Sequence, residues 1–225
     1  MRRRFGRGTL LALAVCLSLA RPSPCQQGGY WKAEIRESDY AFGLIKHIVP
    51  CHSVYPGAGV SNYKYDLYQA PGGILRKELV WTDSPRADSI MPPMDITLID
   101  LTRGYKLVYD KGGKRAERST LKDVGKPTPL APMQLLGHQC DGKEYQWIDR
   151  RGQLIRVKEW VTADADFKLP LMEFSYAFDH SGALSILETK VVTALQMVPS
   201  LPSALFEPPP GLEVEPAGST RIPFL

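Results

Sequence analysis

Short apolar runs separated by glycine and proline turns recur from residue 60 onward, and this repetition constrains the fold more than any other feature. With 19 glycines and 19 prolines in 225 residues, turns must be frequent and long helices few. The clearest run spans residues 171–178, where four large apolar side chains occupy alternate positions: Met172, Phe174, Tyr176 and Phe178. A period of two is the signature of an antiparallel strand with one buried face.

The same pattern predicts seven to nine strands in sequence order, at 63–69, 74–82, 95–102, 105–110, 134–140, 143–149, 154–161, 171–178 and 184–195. Strands joined by short turns favour a meander, and a large meander rolls up to cover its apolar face and its edges. Three other segments are read differently. Tyr30 to Val49 has the spacing of one amphipathic helix, 119–132 reads as a loop or short helical turn, and the proline-rich end predicts an irregular tail.

The first twenty residues predict export. Four arginines precede the apolar run from Thr9 to Ala20, and the first twenty residues contain no acidic side chain. This arrangement is typical of a secretory signal cleaved between Ala20 and Arg21. A membrane anchor is the alternative, but twelve helical residues span about 18 Å of a roughly 30 Å hydrocarbon core. Lipidation of Cys16, in a lipobox-like sequence, is a second alternative. We therefore expect a periplasmic or secreted protein, peripheral to a membrane at most.

Charge argues against nucleic acid as a partner. The net charge of +4 comes from the four arginines of the signal, and the rest of the chain has 24 basic and 24 acidic side chains. A neutral chain without a basic run lacks the electrostatic surface that binds phosphate backbones.

Three cysteines follow the signal, and an oxidising compartment favours a disulfide. Cys25 lies in a Pro, Gln and Gly-rich lead-in, so we expect Cys51 and Cys140 to pair. The alternative is a tetrahedral zinc site, because Cys51-His52 and His138-x-Cys140 supply two thiols and two imidazoles.

No catalytic motif is present: the sequence lacks a nucleophile elbow, a zinc-protease helix, a phosphate loop and a dinucleotide fingerprint. The one tight acidic group, Glu159 with Asp164 and Asp166, is typical of a solvated turn, although such carboxylates could also bind calcium. We therefore expect a non-enzymatic protein without a cofactor. A hydrolase or metal enzyme is a lesser alternative.

Four stretches in a fixed order resemble the bacterial periplasmic lipoprotein-carrier-like (LolA/LolB-like) superfamily, in particular its outer-membrane lipoprotein-sorting branch. They are ITLIDLTRGYKLVYD at 96–110, LLGHQCDGKEYQW at 135–147, RVKEWVTADADFKLPLMEF at 156–174 and LPSALFEPPPGLE at 201–213. The resemblance covers about residues 60–215, between a lead-in at 21–59 and a tail at 216–225. It implies a mainly β (α+β) fold, in which a curved antiparallel meander forms an incomplete barrel with one N-terminal helix or lid.

The resemblance also implies a concave apolar cavity that holds acyl chains. Trp160 and the row Met172, Phe174, Tyr176 and Phe178 are the side chains that we expect to line it; ordinary core packing is the alternative. The expected function is binding of a lipid, a lipoprotein acyl chain or another apolar ligand. The alternative function is a structural or interaction module of the envelope, with a packed core and a protein partner.

Overall fold

Twelve β-strands make up most of the computed structural model, which describes residues 29–42, 59–83, 95–149, 152–163 and 166–221. The helix of the described residues is a single 3-10 turn, Ser203–Phe206, as its flanking prolines predict. Within these ranges no helix has the length and hydropathy that a membrane crossing requires. The strands are β1 Tyr30–Ala41, β2 Gly59–Ala70, β3 Ile74–Thr82, β4 Ile96–Asp100, β5 Tyr105–Tyr109, β6 Arg115–Lys122, β7 Thr128–Leu135, β8 His138–Ile148, β9 Leu154–Thr162, β10 Pro170–Phe178, β11 Leu184–Val198 and β12 Glu213–Arg221.

All twelve strands form one sheet, in the order β12-β6-β5-β4-β3-β2-β1-β11-β10-β9-β8-β7. The chain therefore builds two antiparallel meanders, β1 to β6 and β7 to β11, and the pairing of β1 with β11 joins them. The last strand returns to pair in parallel with β6. Since β12 and β7 each have one neighbour, the sheet is not closed into a barrel. The predicted mainly β fold, a curved and incompletely closed sheet, is confirmed.

The sheet is strongly curled. The rings of Trp31 on β1 and His138 on β8 lie 6.3 Å apart, centre to centre. Four strand spacings separate β1 from β8, which is about 19 Å in a flat sheet. The face that carries Trp31 is therefore concave. The connection from Lys122 to Thr128 agrees with this. It joins β6, next to one edge of the sheet, to β7 at the other edge, and its six residue steps span at most about 20 Å.

Two apolar cores lie on opposite faces of the sheet. The concave core joins residues of seven strands and of the loop after β9: Trp31, Ala33, Ile35, Tyr65, Leu67, Leu75, Ile99, Cys140, Phe167, Leu169, Leu171 and Val192. A smaller core on the outer face of β4 to β6 is packed against Leu212, in the segment that precedes β12. This segment is also held by Arg76, which donates to the carbonyl of Leu205 at 3.1 Å.

The helix predicted over Tyr30 to Val49 is wrong for residues 30–41, which form β1; residues 43–49 lie outside the described residues. Trp31, Ala33 and Ile35 are buried at alternate positions, which is the period of a strand. The polar residues between them are tolerated because they lie on the outer face.

Two proline-containing segments also differ from their predictions. The irregular tail expected at 216–225 is strand β12 as far as Arg221, and the loop expected at 119–132 contains the end of β6 and most of β7. Both β7 and β12 are edge strands, where a residue without a backbone N–H breaks no ladder on the open side. The register of β12 shifts between Pro216 and Gly218, so the strand accommodates its proline at an irregularity.

Candidate functional site: the concave face

One end of the concave face is apolar, and a loop rather than a strand completes it. Leu67, Leu75 and Ile99 of β2 to β4 are fully buried there beside Trp31. The ring of Phe167, only 1% exposed, meets the Trp31 ring edge-on at 6.1 Å. Phe167 belongs to the loop between β9 and β10, so the loop fills the hollow that the curled strands leave.

A single buried glutamine holds this loop to the sheet. The side-chain amide of Gln69 donates to the carbonyl of Asp166 at 2.6 Å, and its oxygen accepts from the backbone N–H of Lys168 at 2.8 Å. The hydroxyl of Thr162 donates to the carbonyl of Phe167 at 3.1 Å. These bonds satisfy the polar groups of a backbone segment that lies over an apolar surface.

The other end of the concave face is charged. Lys77 on β3 contacts Glu37 on β1 at 2.8 Å and lies 3.8 Å from the centre of the Tyr65 ring. Lys190 on β11 contacts Glu173 at 3.2 Å and Glu188 at 2.5 Å. These residues lie on the same strand or on strands that are adjacent or next but one in the sheet, so their long side chains reach one another on the concave face and their charges are neutralised out of water.

Burial and neighbouring charges shift the pKa values of this cluster in different directions. Burial would raise the pKa of Glu37, but Lys77 and Lys190 hold it below its usual value. Burial and the nearby Glu188 and Glu37 raise the pKa of Asp39 to about 7. Burial, followed by Lys190 and Lys77, lowers the pKa of Lys106 to about 8.

The carboxylates of Glu37, Asp39 and Glu188 approach within 4.8 Å of one another, a spacing that could accept a cation. Two of the three are already paired with Lys77 and Lys190. The cluster is therefore a charge-compensated network, in which Asp39 is the one of these three carboxylates without an ion pair to a described residue.

The predicted ligand row lies elsewhere. Met172, Phe174, Tyr176 and Phe178 do share one face of β10, as predicted, but that face is half-buried and is not the concave one. Trp160 packs against the concave core and also lies beside Phe174, with the two rings perpendicular and 6.1 Å apart. The concave face of β10 carries four buried residues: Leu171, Glu173, Ser175 and Ala177. The inward orientation of the row is thus corrected, and its role in ligand binding stays a prediction.

Several predicted residues lie outside the described part of the chain: Cys16, Ala20, Arg21, Cys25, Cys51, His52 and Asp164. Cys140 is buried in the concave core, and its thiol contacts the carbonyl of His138 at 3.7 Å. The disulfide of Cys51 with Cys140 stays a prediction. Glu159 is buried on the concave face and Asp166 is exposed in the loop, so the predicted acidic group is divided between two environments.

Sequence reasoning missed the residues that organise the concave face: Glu37, Gln69, Lys77, Glu173 and Lys190. Their only local sign is a charged or amide side chain at an inward position of an alternating strand. Gln69 acquires its partners from a loop distant in sequence, Glu37 and Lys77 pair across an intervening strand, and Glu173 pairs with Lys190 of the next strand; alternation alone specifies none of these partners.

No protein-family model matches the chain, and no curated protein matches it in sequence. Among solved structures, it is similar to an uncharacterized conserved protein of Thermus thermophilus, with 12% identity, a TM-score of 0.44 and coverage of 84% of this chain and 91% of the other. It is also similar to a LolA superfamily protein of Nitrosomonas europaea, with 12% identity, a TM-score of 0.38 and coverage of 81% and 91%.

A third similar structure, from Vibrio parahaemolyticus, is described as an outer membrane lipoprotein-sorting protein domain. It has 13% identity and a TM-score of 0.36, with 79% of this chain and 89% of the other covered. Structures described as LolA superfamily and lipoprotein-sorting proteins, the kinds that the sequence resembles, are thus among those similar to this chain.

Proposed function

We propose that the protein is exported to the cell envelope, where it binds a lipid, an acyl chain or another apolar ligand inside its curled sheet without catalysing a reaction. The observation that carries the proposal is the apolar end of the concave face. There, Phe167 and Leu169 of one loop, rather than side chains of the sheet, complete the core.

In this proposal, the loop occupies the space that an acyl chain would take. If the loop moved away, apolar surface of Trp31, Leu67 and Leu75 would be uncovered. A methylene chain could bury the same surface with a similar gain, about 25 cal/mol per Å². The free energy of replacing the loop by the ligand is then close to zero, because both cover the same apolar surface. The polar bonds at stake are chiefly the two that Gln69 makes.

The test is Phe167→Ala in the full-length chain, assayed with a fluorescent fatty-acid analogue. Removing the ring leaves an apolar cavity and should lower the free energy of unfolding by about 3–5 kcal/mol. We expect the analogue to bind the variant about tenfold more tightly than the unchanged protein, since it no longer displaces the ring. Mass spectrometry of organic extracts should find lipid that copurifies with the variant.

Phe167→Leu is a milder companion variant, in case the alanine variant does not fold. Phe174→Ala is the matched control, because it removes the same side chain from the outer face. Loss of stability in Phe167→Ala and Phe167→Leu without tighter binding of the analogue would contradict the proposal.

The half-buried aromatic row favours a second candidate, an interaction module that contacts an envelope partner through Trp160, Met172, Phe174, Tyr176 and Phe178. Large apolar side chains grouped on an incompletely buried face are typical of interaction surfaces. If Phe174→Ala weakens binding of the analogue and Phe167→Ala leaves it unchanged, the outer row is the apolar site.

A further inference from the structure

Two rows of side chains cross the outer face of β1 to β3, near the C-terminal end of β3. Register places Arg36 opposite Lys64, and Lys64 opposite Trp81, which forms the first row. Two residues along, Ser38 lies opposite Asn62, and this pair begins the second row. The side chains of both rows line a groove of about 470 Å³.

The first row presents an aromatic platform. The register between β2 and β3 shifts after Lys64, because Lys64 pairs with Trp81 whereas Tyr65 pairs with Leu79. A bulge of this kind re-aims the side chains of the longer strand. Trp81, at this bulge, is 53% exposed and lines the groove, so its indole supplies an apolar aromatic surface with one N–H donor.

The second row is a chain of hydrogen bonds that fixes polar groups in place. The hydroxyl of Ser38 donates to Oδ1 of Asn62 at 2.7 Å. Asn62 in turn donates to the carboxylate of Asp83 twice, from its backbone N–H at 2.7 Å and from Nδ2 at 3.0 Å. One amide hydrogen of Asn62 and further lone pairs of Asp83 remain for other partners. Because these side chains are held by one another, binding would cost little of their conformational entropy.

The charges of the described residues on the outer side of the groove balance. Arg36 is opposed by Asp83, whereas Glu37 lies on the concave face and is neutralised there by Lys77. Lys64 is paired with Glu34 at 3.1 Å. A groove of this kind has no net attraction for an anion or a cation and favours a ligand that is polar but uncharged.

We propose that this groove binds a neutral carbohydrate. A pyranose ring has a face of C–H groups that can lie against the indole of Trp81 and a rim of hydroxyls that both donate and accept hydrogen bonds. Asn62, Asp83 and Arg36 supply acceptors and donors for such a rim, and the volume lies in the range of small-molecule sites, about 300–1,000 Å³. The groove is on the outer face, so this inference is independent of the proposed lipid site.

The test uses three neutral probes on the full-length chain: triacetylchitotriose, cellotriose and maltotriose. Calorimetry and the fluorescence of the tryptophans should show saturable binding of at least one. Trp81→Ala should weaken that binding about tenfold or more, and Trp81→Phe should retain part of it, since a smaller ring still offers a face. Val80→Ala is the matched control: Val80 is adjacent and 54% exposed, but it does not line the groove.

Two outcomes would overturn the proposal. One is that none of the three saccharides binds, or that binding persists in Trp81→Ala. The other is that the groove takes inorganic phosphate in preference to all three sugars and loses it in Arg36→Ala, which would make it an anion site.

Discussion

Glu159 and Glu173 lie directly opposite each other on β9 and β10, and both are buried on the concave face. Like charges at such positions repel unless one carboxylate is protonated or each has a cationic partner. Lys190 supplies that partner for Glu173. Glu159 instead accepts a hydrogen bond from the hydroxyl of Tyr145 at 3.2 Å.

This asymmetry predicts a pH-dependent stability. Burial, and then Glu173, raise the pKa of Glu159 from 4.5 to about 7, against the opposing effects of Lys143 and Tyr145. Between these two values the folded protein binds more protons than the unfolded chain, so its stability falls as pH rises. The loss from this one group is roughly 3 kcal/mol, complete above pH 7 and absent below pH 4.5.

Glu159→Gln keeps the shape of the side chain and cannot ionise. In urea denaturation we expect the variant to be as stable as the unchanged protein near pH 4.5 and more stable by roughly 3 kcal/mol near pH 8. Glu117→Gln, on the exposed surface of β6, is the control and should change neither value. An unaltered pH dependence in Glu159→Gln would show that Glu159 ionises normally in the folded protein.

At the scale of elements, alternation located β2 to β5 and β9 to β11 and left the orientation of their faces undecided. Residues 171–178 were correctly predicted as a strand, but the large side chains were assigned to the buried face. That face instead holds Glu173 and Ser175, and Glu173 is stabilised there by Lys190 of the next strand. Residues 30–41 were misassigned because the polar positions between Trp31, Ala33 and Ile35 obscured the period.

The edge strand β7 depends on a glycine of its neighbour. Gly142 pairs with Leu130 on one side and with Trp160 on the other. Because Gly142 has no side chain, Trp160 reaches across it and donates from Nε1 to the carbonyl of Ala131 at 3.1 Å. An added Cβ would lie 2.8 Å from both the Leu130 Cβ and the Trp160 Nε1.

Gly142→Ala should therefore destabilise the protein by about 1–3 kcal/mol, because the contacts leave no room for a methyl group. Amide hydrogen exchange should show the loss first in β7, where the bond to Ala131 breaks. Gln146→Ala, an exposed change on the same strand, provides the comparison. Equal exchange rates of β7 in both variants would contradict a role for Gly142 in attaching the edge.

At the scale of the whole molecule, local sequence determined most neighbours in the sheet, because each hairpin pairs strands that follow one another. Two strand pairings could not be predicted from local sequence. β1 pairs with β11, and β12 pairs in parallel with β6, across long separations that no turn specifies. The charged end of the concave face depends on the first of these, since Glu37 of β1 lies opposite Lys190 of β11. The charged end therefore could not be assembled from the sequence, in which β1 has the spacing of a helix.

The curl of the sheet has two candidate causes, the short connection between β6 and β7 and the packing of the concave core. We predict that the core is decisive.

Inserting about ten Gly and Ser residues between Gly125 and Lys126 triples the length of the connection and should cost about 1 kcal/mol of loop entropy. Trp31→Ala removes the side chain that links β1 to β8 and should cost about 3–5 kcal/mol. Urea denaturation gives both values, and small-angle scattering reports whether the sheet opens. If the insertion opens the sheet or costs as much as Trp31→Ala, the connection and not the core maintains the curl, and the concave face would have no independent means of keeping its apolar and charged ends in place.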